Sequence, residues 1–146
     1  MQNLVIVSPS LLAKGPLVEA EIYPNEISFL RHKNQEFHQP GLPVKLLIDT
    51  GSNISGLNRE LIDRLQLPLY GDKAEIDGAG GSISLNRYRC VLYMRIFGTK
   101  ALPMDIVEGY FDEVPYDGVL GRDVLQYCTL QFDGPNNVFR LSAPDF

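Results

Sequence analysis

The sequence predicts an all-β domain, a small closed barrel carrying one or two short helices. Three observations point there. Apolar residues come in short runs that alternate with polar ones or form compact blocks, the marks of half-buried and buried strands. Turn formers punctuate those runs, with 13 Gly and 10 Pro among 146 residues. A sustained helical spacing of apolar residues occurs only around Leu61, Ile62 and Leu65.

The elements follow in order. Leu4 to Val7 is a β-branched-rich run closed by Pro9, and Leu17 to Tyr23 alternates apolar and polar. Pro24 to Pro43 is polar and reads as an irregular, mobile excursion between two strands of a hairpin. Val44 to Ile48 is a strongly apolar strand that ends abruptly at Asp49-Thr50-Gly51-Ser52. Asn58 is placed to cap the helix bearing Leu61, Ile62 and Leu65, with Pro68 stopping it. Ile76 and Ile83 flank Asp77-Gly78-Ala79-Gly80-Gly81, a hairpin with a glycine-rich tip. Tyr88 to Phe97 is expected to pair with Ala101 to Val107. Arg122 to Tyr127 reads as a short helix, and Cys128 to Phe132 with Val138 to Leu141 as a final hairpin around Asp133-Gly134-Pro135-Asn136-Asn137.

The length suits one domain spanning residues 1–146, and 45% hydrophobic with 21% charged residues gives a core of ordinary size. Net charge is -5 and the basic residues are scattered, which argues against nucleic acid as a partner. No apolar run approaches the ~20 residues that span a bilayer, so no membrane partner is expected. Met1 to Val7 lacks a basic region and a cleavage site, which makes a cytoplasmic location the expectation. Cys90 and Cys128 stand far from other ligand residues and are expected as reduced thiols. His32 and His38 are six apart without nearby support, and Asp105, Glu108, Asp112 and Glu113 lack calcium-loop spacing. No metal or cofactor is expected.

Asp49 is the residue that asks for an explanation. A carboxylate at the end of a buried strand is costly unless hydrogen-bonded or paired. Thr50 and Ser52 offer hydroxyls, and Gly51 permits a tight turn with a free N–H. An ordinary Asp-initiated turn would have the same composition.

Four segments in order resemble the retropepsin family, the single-domain proteases of retroviruses and the related domain of DNA-damage-inducible ubiquitin-shuttle proteins. Leu47 to Ser52 resembles the catalytic loop, and Ile76-Asp77-Gly78-Ala79-Gly80-Gly81 the flap that closes over substrate. Gly118 to Leu125, containing Val119, Leu120, Gly121 and Arg122, resembles the supporting loop and its helix. Cys128 to Leu141 is similar to the terminal hairpin. The resemblance runs from Val44 onward and leaves Met1 to Pro16 as an arm or extra strand and residues 24–43 as an insertion.

The resemblance implies an aspartic endopeptidase with Asp49 as the catalytic carboxylate and a peptide or protein as substrate. Peptide hydrolysis by carboxylates needs two of them about one water, one ionised and one protonated. The sequence holds a single Asp-Thr-Gly, so the second is expected from another copy across a two-fold axis. Asp117 or Asp123 could supply it within the chain, although neither has a Thr-Gly beside it. The resemblance further implies that Thr50 locks the two loops together and that Ser52 donates a hydrogen bond to Asp49. It also implies that Arg122 braces the dimer through an acid beyond the catalytic triplet. Asn53-Ile54-Ser55 offers no such acid, and a solvated Arg122 fits the sequence equally well. A catalytically silent, dimeric peptide-binding module of the same fold is the alternative reading.

Overall fold

The computed structural model describes the backbone of residues 2–7 and, in full, residues 11–34 and 41–144. Strands β2 (Leu17–Tyr23) and β3 (Leu42–Ile48) form the expected hairpin, with Leu17 opposite Leu47 and Ile22 opposite Leu42. Their alternation is read directly as burial. Val18, Ala20, Ile22, Val44, Leu46 and Ile48 point inward, while Glu19 and Lys45 face each other on the outside.

The pair is part of a closed six-stranded barrel. In chain order, β1 is Gln2–Val7, β4 is Gly56–Asn58, β5 is Ala74–Gly78 and β6 is Gly81–Leu85. They are followed by β7 (Arg87–Tyr93), β8 (Leu102–Gly109), β9 (Gly118–Leu120), β10 (Thr129–Asp133) and β11 (Val138–Ala143). Around the barrel the order is β2-β3-β9-β4-β8-β7. Its interior is filled by Val18, Leu46, Leu57, Leu92, Ile106 and Leu120, all buried. Burial of apolar side chains, at roughly 25 cal/mol per Å2, is what holds the closed sheet together. A three-stranded sheet, β1-β11-β10, and the two-stranded hairpin β5-β6 complete the β-structure.

Helices are more numerous than the sequence suggests. The described residues hold four short ones, α1 (Leu11–Lys14), α2 (Glu26–Lys33), α3 (Arg59–Leu65) and α4 (Arg122–Leu125), and a 3-10 turn at Arg95–Phe97. Helix α2 corrects the reading of Pro24 to Pro43 as wholly irregular. Asn25 caps it by accepting Ser28 N–H at 2.8 Å, and Phe29 packs edge-on against Tyr23 and beside Tyr93, both at 5.3 Å between ring centroids. The helix escapes periodicity because Phe29 is its only buried apolar residue. The remainder of that stretch, residues 35–40 with His38, lies outside the described residues. Replacing Asn25 with Ala is expected to cost about 1 kcal/mol, checked by urea denaturation.

Helix α3 forms where expected but is capped differently. Asn58 makes no side-chain cap bond; its backbone N–H donates to Asp117 O at 2.8 Å. The helix ends at Gln66, in the left-handed region with φ 53, before Pro68 is reached. Arg59, at its start, pins it to the barrel through Glu108 on β8 at 2.5 Å and also reaches Asp63 at 2.9 Å. Glu108 accepts further bonds from Asn86 N–H and the Tyr88 hydroxyl. Burial alone would raise the Glu108 pKa, but these donors outweigh it and hold it below the usual glutamate range. A depressed folded-state pKa stabilises the fold above the unfolded value, roughly pH 4.3, and that stability is lost as pH falls through the folded value. Glu108→Gln is therefore expected to flatten the acid limb of a stability-versus-pH profile below about pH 4.3, as read by thermal melts.

Candidate active site

The site begins with strand order. Strand β9 inserts between β3 and β4 and runs parallel to β3, with Leu46, Leu47 and Ile48 opposite Gly118, Val119 and Leu120. The ladder extends one residue beyond β3, since Asp49 N–H donates to Leu120 O at 2.9 Å. There the chain turns sharply: Ser52 N–H reaches Asp49 O at 3.2 Å, and Gly51 N–H donates to Asp49 Oδ1 at 2.9 Å. A Cβ on Gly51 would stand 3.2 Å from that same oxygen, so glycine keeps the amide close to the carboxylate. Asp49 is half-buried, and Thr50 and Gly51 are exposed at the tip. Among the described residues no donor meets Asp49 Oδ2, which leaves that oxygen available to a water or substrate.

Ser52 corrects an expectation. Its hydroxyl donates to Ile54 O at 2.6 Å, not to the Asp49 carboxylate. It braces the turn's exit, and the expected acid-stabilising contact to Asp49 is absent. Arg122 is resolved in the other direction. It meets no acid among the described residues, yet its guanidinium donates to Thr50 O at 2.6 Å and its backbone N–H to Ser52 O at 2.8 Å. The guanidinium thus holds the tip of the loop within its own chain. A backbone carbonyl carries no residue-type signal, which is why the sequence leaves this partner unseen.

A second clamp involves two residues not singled out from sequence for this purpose. Ser55, 3% exposed, donates its hydroxyl to Asp123 Oδ1 at 2.7 Å and its N–H to Oδ2 at 2.9 Å, and accepts Gly121 N–H at 2.9 Å. Val124 N–H adds a third bond to the Asp123 carboxylate. The buried hydroxyl is fully satisfied, which ties the loop to the start of α4. Gly121 must be glycine here, because a Cβ would meet Ser52 O and the Ile54 carbonyl carbon at 2.9 Å. A serine inside Ile54-Ser55-Gly56-Leu57 is the available sequence signal, a polar side chain in an apolar stretch that demands a partner.

The other acids weighed as a second carboxylate are held away from Asp49 or fully hydrogen-bonded, Asp117 lying beside Lys45 on β3. Asp117 accepts Lys45 N–H at 2.8 Å, and both oxygens of Asp123 are occupied as described. Leu120 points into the core at 0% exposure, and Val119 is half-buried. Both thiols are free; burial pushes Cys90 up to about 12 and Cys128 up to about 11. Neither is poised as a nucleophile.

Hairpin β5-β6 has Gly78 opposite Gly81 and Ala79-Gly80 as its two-residue turn. Gly81 sits at φ 107, a backbone state that favours glycine. The hairpin is two-faced. Ile76 and Ile83 oppose each other on one face; on the other, Ser82 bonds Asp77 and Ser84 bonds Glu75. Residues 77–84 are all exposed, so the tip stands clear of the barrel.

Comparison with known proteins decides the family. The aspartyl protease family profile matches residues 37–124, more than half of the chain. The chain belongs to the aspartyl protease family. Its matched span runs from before β3 through Asp49, the glycine-tipped hairpin and Gly121 into α4. Among solved structures, this aspartyl protease chain is similar to a retropepsin-like aspartic protease from Rickettsia conorii, at 13% identity and a TM-score of 0.56. That match covers 96% of this chain and 90% of the other. It is also similar to the EIAV protease complexed with the inhibitor HBY-793, at 21% identity and a TM-score of 0.52, covering 79% of this chain and 88% of that one. These likenesses establish the retropepsin-like fold. No curated protein sequence matches the chain significantly. No helix among the described residues is long and apolar enough to cross a membrane.

Proposed function

We propose that this aspartyl protease is an endopeptidase of extended polypeptide segments, working as a homodimer in which Asp49 of each copy forms one dyad. The observation that carries the reading is the presentation of Asp49. Its backbone is fixed by Leu120, one carboxylate oxygen is engaged by Gly51 N–H, and the other meets no donor among the described residues. With both oxygens of Asp123 occupied, and Asp117 held beside Lys45, well back along β3 from Asp49, the second carboxylate falls to the second copy.

Two such carboxylates around one water resist ionising together, so one keeps a proton. The ionised Asp49 takes a proton from the water as it attacks the scissile carbonyl, and the protonated one donates to the carbonyl oxygen. Collapse of the tetrahedral intermediate returns a proton to the leaving amine and regenerates the pair. Apparent pKa values then belong to the dyad, not to either residue. Gly78, Ala79, Gly80 and Gly81 would supply backbone N–H and C=O groups to an extended substrate beneath the hairpin, with Ile76 facing it. Thr50, at the tip held by Arg122, would meet its counterpart across the axis.

The test is a pool of unstructured peptides incubated with the purified protein from about pH 3 to pH 7, read by mass spectrometry beside Asp49→Asn. Cleavage by the wild type alone supports the reading. Equal cleavage by both, or none from a confirmed dimer, removes it.

A further inference from the structure

A cleft of about 410 Å3 opens beside the candidate site, walled by parts of the chain that are distant in sequence. Asn53 and Ile54 form the exit of the Asp49 loop, Asp123 and Tyr127 belong to α4 and the turn after it, and Asp105 stands on β8. The remaining charged wall is Arg87, which opens β7 just after the hairpin strand β6 ends at Leu85. The cleft thus lies where the root of the hairpin meets the exit of the Asp49 loop. A second cleft of similar size, over β2 and β3, is lined by neither of them.

Charge in the first cleft is unevenly matched. Asp105 accepts Arg89 Nη1 at 2.9 Å, and Arg89 also lies over the Tyr70 ring, 4.9 Å from its centroid. Asp123 is saturated by Ser55 and Val124. Arg87 is the exception. Among the described residues the carboxylate within reach of it is that of Asp105, 3.9 Å from Nη1 and too far for a hydrogen bond. Its Nε is buried and meets no acceptor among those residues. Leaving such a donor unmet costs free energy. One acid shared by two guanidinium groups gives the cleft a cation to spare.

We propose that Arg87 is a specificity residue that receives an Asp or Glu side chain of the substrate, away from the residues that flank the scissile bond. This inference rests on the peptidase reading above, which runs an extended chain between the hairpin and the Asp49 loop, and adds the chemistry of one outlying position. The position is outlying because Asp49 meets the scissile carbonyl, whereas the cleft begins beyond the turn, at Asn53. A carboxylate suits Arg87 better than a neutral carbonyl does, because the Nε–Nη edge of a guanidinium matches its two oxygens. Drawing the head group a short way into the cleft lets both nitrogens bond at once, and gives up only the 3.9 Å approach to Asp105. A Lys or Arg of the substrate would instead meet Arg87 with both neighbouring acids already bonded.

The test uses synthetic unstructured peptides, amidated at the C-terminus so that side chains carry their only carboxylates, with Glu or Gln walked through each position. The wild type is expected to cleave the Glu form with about tenfold higher kcat/KM than its Gln twin at one outlying position, the difference lying in KM. Arg87→Met keeps the apolar stem and should erase that preference. Arg87→Glu should turn it toward Lys, a gain that a misfolded variant cannot give. The same peptides are passed over immobilised Asp49→Asn, with and without Arg87→Met, so that binding is read apart from cleavage. Cleavage with no Glu preference at any outlying position, or a preference that survives Arg87→Met, overturns the role of Arg87 and leaves the peptidase reading standing. Arg87-dependent retention of Glu peptides with no cleavage by the wild type does the reverse. Neither cleavage nor retention overturns both.

Discussion

Two copies joined by a flexible linker, with Asp49→Asn in only one of them, are expected to lose about 10²–10⁴-fold of the cleavage rate, as much as when both are replaced. The reason is the division of labour. An amide cannot hold the proton that a carboxylic acid donates, nor take the proton that a carboxylate removes from water. Removing either member therefore stops the same step. If each chain instead carried its own pair, the singly substituted tandem would keep half its activity. Measured turnover near one half would thus sink the shared dyad without reference to any structure. Thermal melts of the tandem should hardly move, because Asp49 is half-buried and its main tie to the turn is the Gly51 N–H, which an amide oxygen can also accept.

Gly118→Ala is expected to destabilise the protein by about 3 kcal/mol or more, and to remove activity with the fold. A Cβ at Gly118 would lie 2.2 Å from Gly56 O and 3.1 Å from the Leu57 Cα. Both obstacles are backbone, and they belong to β4, which is itself held by β8 on its other side. No side chain can swing away. Relief requires β9 to move off β4, and β9 carries Leu120, whose carbonyl fixes Asp49. Gly56→Ala offers the contrast, because its Cβ would meet only ordinary contacts at 3.5 Å and beyond. Denaturant midpoints for the two variants should differ widely; similar midpoints would mean that the β4–β9 approach is softer than the geometry implies.

The barrel and the loop were legible because they rest on patterns that burial imposes. Leu17 to Tyr23 and Val44 to Ile48 alternate because one face is inside, and the Asp-Thr-Gly-Ser tetrad stands out at the end of the second run. Helix α2 was not legible, since one buried phenylalanine makes no periodicity. At the loop, residue types told where the carboxylate is but not who holds it. Ser52 turned to a carbonyl two residues away, and Arg122 found a carbonyl in place of the acid that the resemblance implies. Backbone acceptors are present at every position, so a sequence cannot say which one a donor will choose. The Ser55–Asp123 clamp joins residues 68 positions apart and becomes visible only when β9 and α4 are seen beside β4.

The placement of β9 has a consequence for when the site comes into being. Strands β3 and β4 flank the Asp49 loop in sequence, yet they do not pair with each other; β9, some sixty residues further on, fills the gap between them. Local hairpins such as β2-β3 and β7-β8 can form early, since they close short loops. The Asp49 turn has no such independence, because Leu120, Arg122 and Asp123 all arrive with or after β9. A chain emerging from the ribosome would thus carry an unformed loop until β9 and α4 had been made, and the arrival of one three-residue strand would set the moment at which the carboxylate becomes ordered.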